Sequence, residues 1–188
     1  IGKTHELLGK TEQFKQIAKT FNHWLKKTAG NKQITCIEPS MIYCMSEEYK
    51  KAGIIMQQTI LTLQACLKQH LKGYHQSHNM QEEKTRYTFL PHCMEQNHPK
   101  DIQDWQDVCD QLKLNISIKT LGCCGQAGLY GYQNNTKEAS QEIFKNGWST
   151  KLAPTTKILI SGHSCKQKLN TKQYKAKHLI EIITDDLL

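Results

Sequence analysis

Short apolar runs that alternate with helical patterns predict an α/β fold, a mainly parallel sheet of about four strands flanked by helices, with an internal pseudo-repeat. Three of those runs lead into cysteine-bearing turns, which places the cysteines where open α/β sheets build their sites. The pseudo-repeat is a gap-free match of residues 12–41 onto 136–165. Asn22 falls on Asn146, Trp24 on Trp148, Ile34 on Ile158 and Ser40 on Ser164.

The elements follow in order. Phe14, Ile17, Ala18, Phe21, Trp24 and Leu25 recur at helical spacing and predict a helix over 12–27, ended by Gly30-Asn31. Ile34-Thr-Cys-Ile37 reads as a buried strand, broken by Glu38-Pro39-Ser40, with Ser40 able to cap the next helix. Met56, Ile60, Leu63, Leu67 and Leu71 form the stripe of another helix. Residues 73–86 are polar and read as a linker. Tyr87-Thr-Phe-Leu90 is a strand running into Pro91-His92-Cys93. Ile102, Trp105, Val108, Cys109 and Leu112 mark a helix. Residues 115–121 are a strand ending at a double cysteine. Residues 137–148 are helical, 157–161 form a strand just before Cys165, and an amphipathic helix over 178–188 closes the chain. The expected organisation is a first lobe over 1–72, the linker over 73–86 and a second lobe over 87–188.

Composition narrows the function. An apolar content of 38% over 188 residues supports a packed core. No apolar run is long enough to span a bilayer, and no signal peptide is visible. The start lacks an initiator Met, which suggests a piece of a longer protein. The net charge is +8, but the lysines are scattered and Arg86 is the sole arginine. Base readout and phosphate forks favour arginine, so the charge reads as a solvated surface, with no nucleic-acid partner. Eight cysteines in a chain with a core need no disulfide scaffold, and thiols beside glycine favour a reduced, cytoplasmic setting.

The chemistry concentrates in Leu121-Gly-Cys-Cys-Gly-Gln-Ala-Gly-Leu-Tyr-Gly-Tyr132. Adjacent cysteines pair poorly with each other, because a vicinal disulfide strains the backbone. They suit a metal or an iron–sulfur cluster, which needs several soft ligands close together. Gly122 and Gly125 allow close backbone approach to such a group. Cys93, Cys123, Cys124 and Cys165, drawn from three loops, form the candidate ligand set. A [4Fe–4S] cluster is the first candidate cofactor and zinc the alternative, since four thiolates satisfy both. Plain buried or surface thiols are the remaining reading. His92 and His163 stand beside candidate ligands and are candidates to ligate or to donate to a thiolate; a loop histidine bonded to backbone is the competing view. Cys66 and Cys109 fall on helix faces, and Cys36 in a strand, as core residues do.

These residues resemble the cysteine-rich CCG domain, found in the B subunit of heterodisulfide reductase and in iron–sulfur subunits of glycolate, lactate and glycerol-3-phosphate oxidising enzymes. The family pattern is a Cys, a long gap, Cys-Cys-Gly, a second gap and Cys-x-x-Cys; Gly162 stands where the first Cys of the last pair is expected. The chain also resembles the C-terminal region of bacterial FAD-linked, iron–sulfur oxidases of the D-2-hydroxyglutarate and D-lactate dehydrogenase type. Ile37-Glu-Pro-Ser40, Pro91-His-Cys93, Cys123-Cys-Gly-Gln-Ala-Gly-Leu-Tyr-Gly131 and Gly162-His-Ser-Cys-Lys-Gln167 carry that likeness. It implies that 1–72 is the tail of a first CCG-type lobe and 87–188 a complete second one. FAD and ferredoxin-like domains would lie upstream as partners, with an electron-acceptor protein or a quinone beyond them. The resemblance further implies a cytoplasmic enzyme, peripheral to the inner membrane and without a transmembrane segment. The resemblance implies electron transfer or docking without the hydride chemistry itself; a thiol–disulfide site like that of heterodisulfide reductase, or a structural zinc domain, are the alternatives. Met41 departs from the pattern, and Cys44, one helical turn on, is the candidate to compensate.

Overall fold

The computed structural model describes residues 1–71 and 86–187; apart from Arg86, the expected linker lies outside the described residues. Two compact units result, Ile1–Leu63 and Gln64–Leu188. The first contains α1 (Lys3–Leu7), α2 (Thr11–Ala29), β1 (Ile34–Cys36), α3 (Pro39–Tyr43), a π-helical turn (Cys44–Glu48), α4 (Tyr49–Lys51) and β2 (Ile60–Thr62). Phe14, Ala18 and Leu25 put the apolar face of α2 into the core, and Gly30 at a φ of 56° stops the helix. Phe14 meets Tyr49 edge to face at 5.6 Å, within a cluster that includes Ile42, Cys44, Met45 and Ile54. Asn22 pins the segment before β2, donating to the Ile55 carbonyl at 2.7 Å and accepting from Gln57 N–H at 3.0 Å.

The second unit contains α5 (Leu63–Leu71), whose first residue closes the first unit, then β3 (Tyr87–Leu90), α6 (Cys93–Gln96), α7 (Pro99–Gln111) and β4 (Ile116–Ile118). After the double-cysteine loop come α8 (Lys137–Gly147), β5 (Ile158–Ile160), α9 (His163–Thr171), β6 (Ala176–His178) and α10 (Leu179–Leu187). The sheet order is β4-β3-β5-β6, parallel throughout. β5 is buried on both faces, as a central parallel strand must be. Successive β3 residues face opposite ways: Phe89 packs on Trp105 of α7 at 5.3 Å, and Leu90 joins the cluster of Phe144, Trp148, Ile158, Ile160 and Leu169. Helices therefore cover both faces.

Four sequence expectations are corrected. The helix expected through Met56 and Ile60 starts only at Leu63; Ile60, Leu61 and Thr62 pair with β1, where β-branched side chains fit an extended ladder. β1 lies in its own two-stranded sheet and not beside β3, β4 and β5. β6 was unforeseen and takes His178 from the closing helix. The N-cap of α3 is Glu38 with Pro39 first in the helix; Ser40 is inside and its hydroxyl donates to Glu38 Oε1 at 3.0 Å.

The pseudo-repeat has a structural form. One constant offset carries β1 onto β5 and the start of α3 onto the start of α9; a second carries β2 onto β6 and α5 onto α10. Both copies pair their strands in parallel. The copies differ at the neighbouring edge: β5 also pairs with β3, whereas β1 pairs with β2 alone among the described residues. Trp148 is fully buried and its counterpart Trp24 is 54% exposed. Trp148→Ala is therefore expected to destabilise the fold by about 3–5 kcal/mol in urea unfolding followed by circular dichroism, and Trp24→Ala by about 1 kcal/mol.

Candidate cysteine-cluster site

The strand order β4-β3-β5 puts three chain segments side by side at the C-terminal edge of the sheet. Parallel neighbours lie about 4.8 Å apart, so the segments that leave them are held close. Cys93 follows β3, Cys123 and Cys124 follow β4, and Cys165 follows β5. The Cys93 and Cys123 thiols are near enough to shift each other's proton affinity, as are Cys123 with Cys124 and Cys124 with Cys165. None of the eight cysteines forms a disulfide. Cys93 and Cys165 lie in the first turns of α6 and α9, and not in loops as expected; only the double cysteine is on a loop. Among the described residues, no group of three or more His, Cys, Asp or Glu side chains is gathered at metal-binding geometry. The four sulfurs are strung as a chain of pairwise contacts.

That chain polarises its members. Contacts with the Cys124 and Cys93 thiols, which outweigh burial, hold the Cys123 thiol far below the ordinary range, helped by the Gly125 N–H at 3.3 Å and by His92. Cys93 and Cys124 move the other way, each first through its contact with Cys123. Cys124 and Cys165 are buried, whereas Cys93 and Cys123 are half-buried.

Gly122 and Gly125 shape the loop, with φ of 74° and 82°. Gly122 N–H donates to Gln96 Oε1 at 2.9 Å, and its carbonyl accepts from Trp148 Nε1 at 3.3 Å. A Cβ on Gly125 would collide with the Ser140 carbonyl oxygen, so the loop lies directly on α8. His92 is buried and caps α6, its Nδ1 accepting from Met94 N–H at 3.3 Å. Its ring also fills the space beside Gly162: a Cβ there would stand 2.5 Å from His92 Cδ2. A cysteine at 162 and the present His92 rotamer exclude each other. His163 is exposed, on the first residue of α9. Cys44 lies in the core of the first unit, where burial pushes its thiol up to about 12, and Met41 is 37% exposed.

Sequence reasoning missed the group that ties the cysteine segments together. Glu95 is 1% exposed and accepts from Trp105 Nε1 at 2.8 Å, from His92 N–H at 2.8 Å and from the Ser161 hydroxyl. Ser161 also accepts from His92 N–H at 2.8 Å. Burial pushes Glu95 up to about 7 against those hydrogen bonds. The one sequence signal was an acid at the third position of a helix that opens at Cys93. Lys168 was missed too. It is 6% exposed, and its Nζ donates to Ser140 Oγ at 2.8 Å.

Fold and site together define a class, a parallel α/β unit with four thiols in contact at the C-terminal ends of its strands. Among known proteins the chain is similar to D-2-hydroxyglutarate dehydrogenases. It is 25% identical over 99% of its length to the protein of that name from Haemophilus influenzae and 24% identical over 97% to that from Escherichia coli. A stretch of 99 residues is 31% identical to the Pseudomonas putida protein of the same name. The chain spans about a fifth (19%) of the length of the first two, and the matched stretch 10% of the third. No family model matches the chain, and no solved structure matches it.

Glu95→Ala should leave the Trp105 Nε1–H without its acceptor and take from the His92 N–H one of its two, the Ser161 hydroxyl oxygen being the other. A loss of about 2–4 kcal/mol in urea unfolding is expected, with Glu95→Gln falling between the two.

Proposed function

We propose that this chain is a cysteine-rich electron-transfer or docking region of an FAD-linked D-2-hydroxyacid oxidoreductase, and that Cys93, Cys123, Cys124 and Cys165 hold an iron–sulfur cluster of the [4Fe–4S] kind. The observation that carries the reading is the unbroken chain of thiol contacts across three adjacent strand ends. The likeness to D-2-hydroxyglutarate dehydrogenases over nearly the whole chain supports the oxidoreductase setting. In this reading, FAD and ferredoxin-like clusters belong to other parts of a longer enzyme, and an acceptor protein or quinone takes the electrons. Among the described residues, no helix is long and apolar enough to cross a membrane, and contact with the inner membrane would be peripheral.

The donor set suits such a group. It offers four sulfurs, two of them buried, and backbone N–H donors from Met94, Gly125 and Gln126 directed at Cys93, Cys123 and Cys124. N–H···S bonds offset thiolate charge and tune cluster potential. When bound, the cluster would supply one-electron exchange. The chain's own part is to hold the sulfurs on three strand ends, to lock the Cys93 turn through Glu95 and Ser161, and to shield the site with Trp148 and Leu90.

One observation favours a second reading. Cys123 is a free, half-buried thiol on a loop next to Cys124, a position from which a thiol–disulfide site can work. Structural zinc on the same four sulfurs is a third. Anaerobic reconstitution with iron and sulfide separates them. The expected result is about four irons per chain with a reducible EPR signal, lost in Cys93→Ser, Cys123→Ser, Cys124→Ser or Cys165→Ser and kept in Cys66→Ser. Tight zinc without iron uptake would favour the structural site, and turnover of a mixed disulfide by the metal-free chain the thiol catalyst.

A further inference from the structure

Behind the double cysteine, the chain from Gln126 to Tyr132 folds over α8 and α9 and leaves a cavity of about 290 Å³. Its wall includes Lys137, Lys168, Lys172, Gln126, Gln141 and Tyr132, and no carboxylate among the described residues lines it. Three ammonium groups around one recess without an acid is an unbalanced arrangement, because each lysine raises the potential felt by the others.

Lys168 is the centre of that imbalance. Its side chain is buried, and the partner of its Nζ is the Ser140 hydroxyl, a neutral group that is itself fully buried. A buried ammonium without a counter-charge is costly. Burial and then the charge of Lys172 hold Lys168 below the ordinary lysine range, and the Cys124 and Cys123 thiols act in the opposite sense. Gln126 adds direction. It is 5% exposed, it lines the cavity, and no hydrogen bond to its amide is seen among the described residues. The amide has room because residue 131 is glycine; a Cβ there would stand 2.7 Å from Gln126 Cδ, Nε2 and Oε1. Tyr132 donates to Gln167 Oε1, so the bond that joins the turn to α9 forms part of the rim.

We propose that this cavity is a binding site for a small carboxylate- or phosphate-bearing anion, with Lys168 and Lys172 as its charge partners and the Gln126 amide as a directional donor. A lysine pair supplies point charges that suit either oxyanion. The anion would provide the negative charge that Lys168 lacks. It would lie next to the Cys123-Cys124 loop without touching the sulfurs, and the proposal stands whether or not those sulfurs bind a cluster.

The test uses the reduced, metal-free 188-residue chain at low ionic strength. Calorimetric titrations with inorganic phosphate and with succinate form the two arms; succinamide and sodium chloride are the neutral and ionic-strength controls. Saturable binding of phosphate, of succinate or of both, at a Kd below about 1 mM, is expected, with no saturation by succinamide or chloride. The arm that binds tells the phosphoryl from the carboxylate chemistry. Lys172→Gln, on an exposed residue, and Lys168→Met should each weaken binding about tenfold or more, while Lys151→Gln, outside the cavity, should not. If Lys168→Met fails to fold, Lys172→Gln decides. Absence of saturable binding in both arms up to about 10 mM, or equal weakening by Lys172→Gln and Lys151→Gln, would overturn the site.

Discussion

The parallel ladder between β3 and its two neighbours governs where the chemistry stands. Leu90 is in register with Ile160, and Phe89 with Ile118, so the chain leaves all three strands at nearly the same level. A slip of one residue in β3 would exchange the faces of Phe89 and Leu90 and turn Cys93 away from the other sulfurs. The tight packing on both faces makes such a slip expensive: Phe89 has Trp105 on one side, and Leu90 has the Phe144–Trp148 cluster on the other. The helices therefore fix the register, and the register positions the thiols.

The polar interior repeats that logic at closer range. Glu95 joins the turn after β3 to the residue after β5 through His92 and Ser161, and reaches back to α7 through Trp105. A carboxylate in that position behaves as a rivet with three donors, and its neighbours are two of the segments that carry cysteine. Trp148 does the same for the third, joining α8 to Gly122. Each cysteine segment is thus held by a hydrogen bond to a buried side chain that is not itself a cysteine.

Much of this was legible in the residues. The strand at 87–90, the helix at 137–147 and the convergence of Cys93, Cys123, Cys124 and Cys165 follow from apolar spacing and from the habit of parallel sheets to gather their turns at one edge. Ile60-Leu61-Thr62 was not legible, because a short apolar run fits a helical stripe as well as a strand until its partner, β1, is known. β6 has the same difficulty in sharper form: Ala176-Lys177-His178 has little strand preference and is extended because β5 offers an edge. Glu95 and Lys168 were hidden for a different reason. Charged residues are normally solvated, and only the packing around them reveals that these two are buried.

The two copies of the repeat have had different fates, and the difference lies at one strand. β5 is sealed on both sides, but β1 pairs with β2 alone among the described residues and presents a second row of backbone amides and carbonyls. Thr35, at its centre, is exposed, and no proline or lysine within the strand blunts it. Nature usually protects such an edge, because any extended peptide can zip onto it. The consequence is practical: β1, like the outer strands β4 and β6 of the larger sheet, offers an edge to which an extended strand of another chain can add.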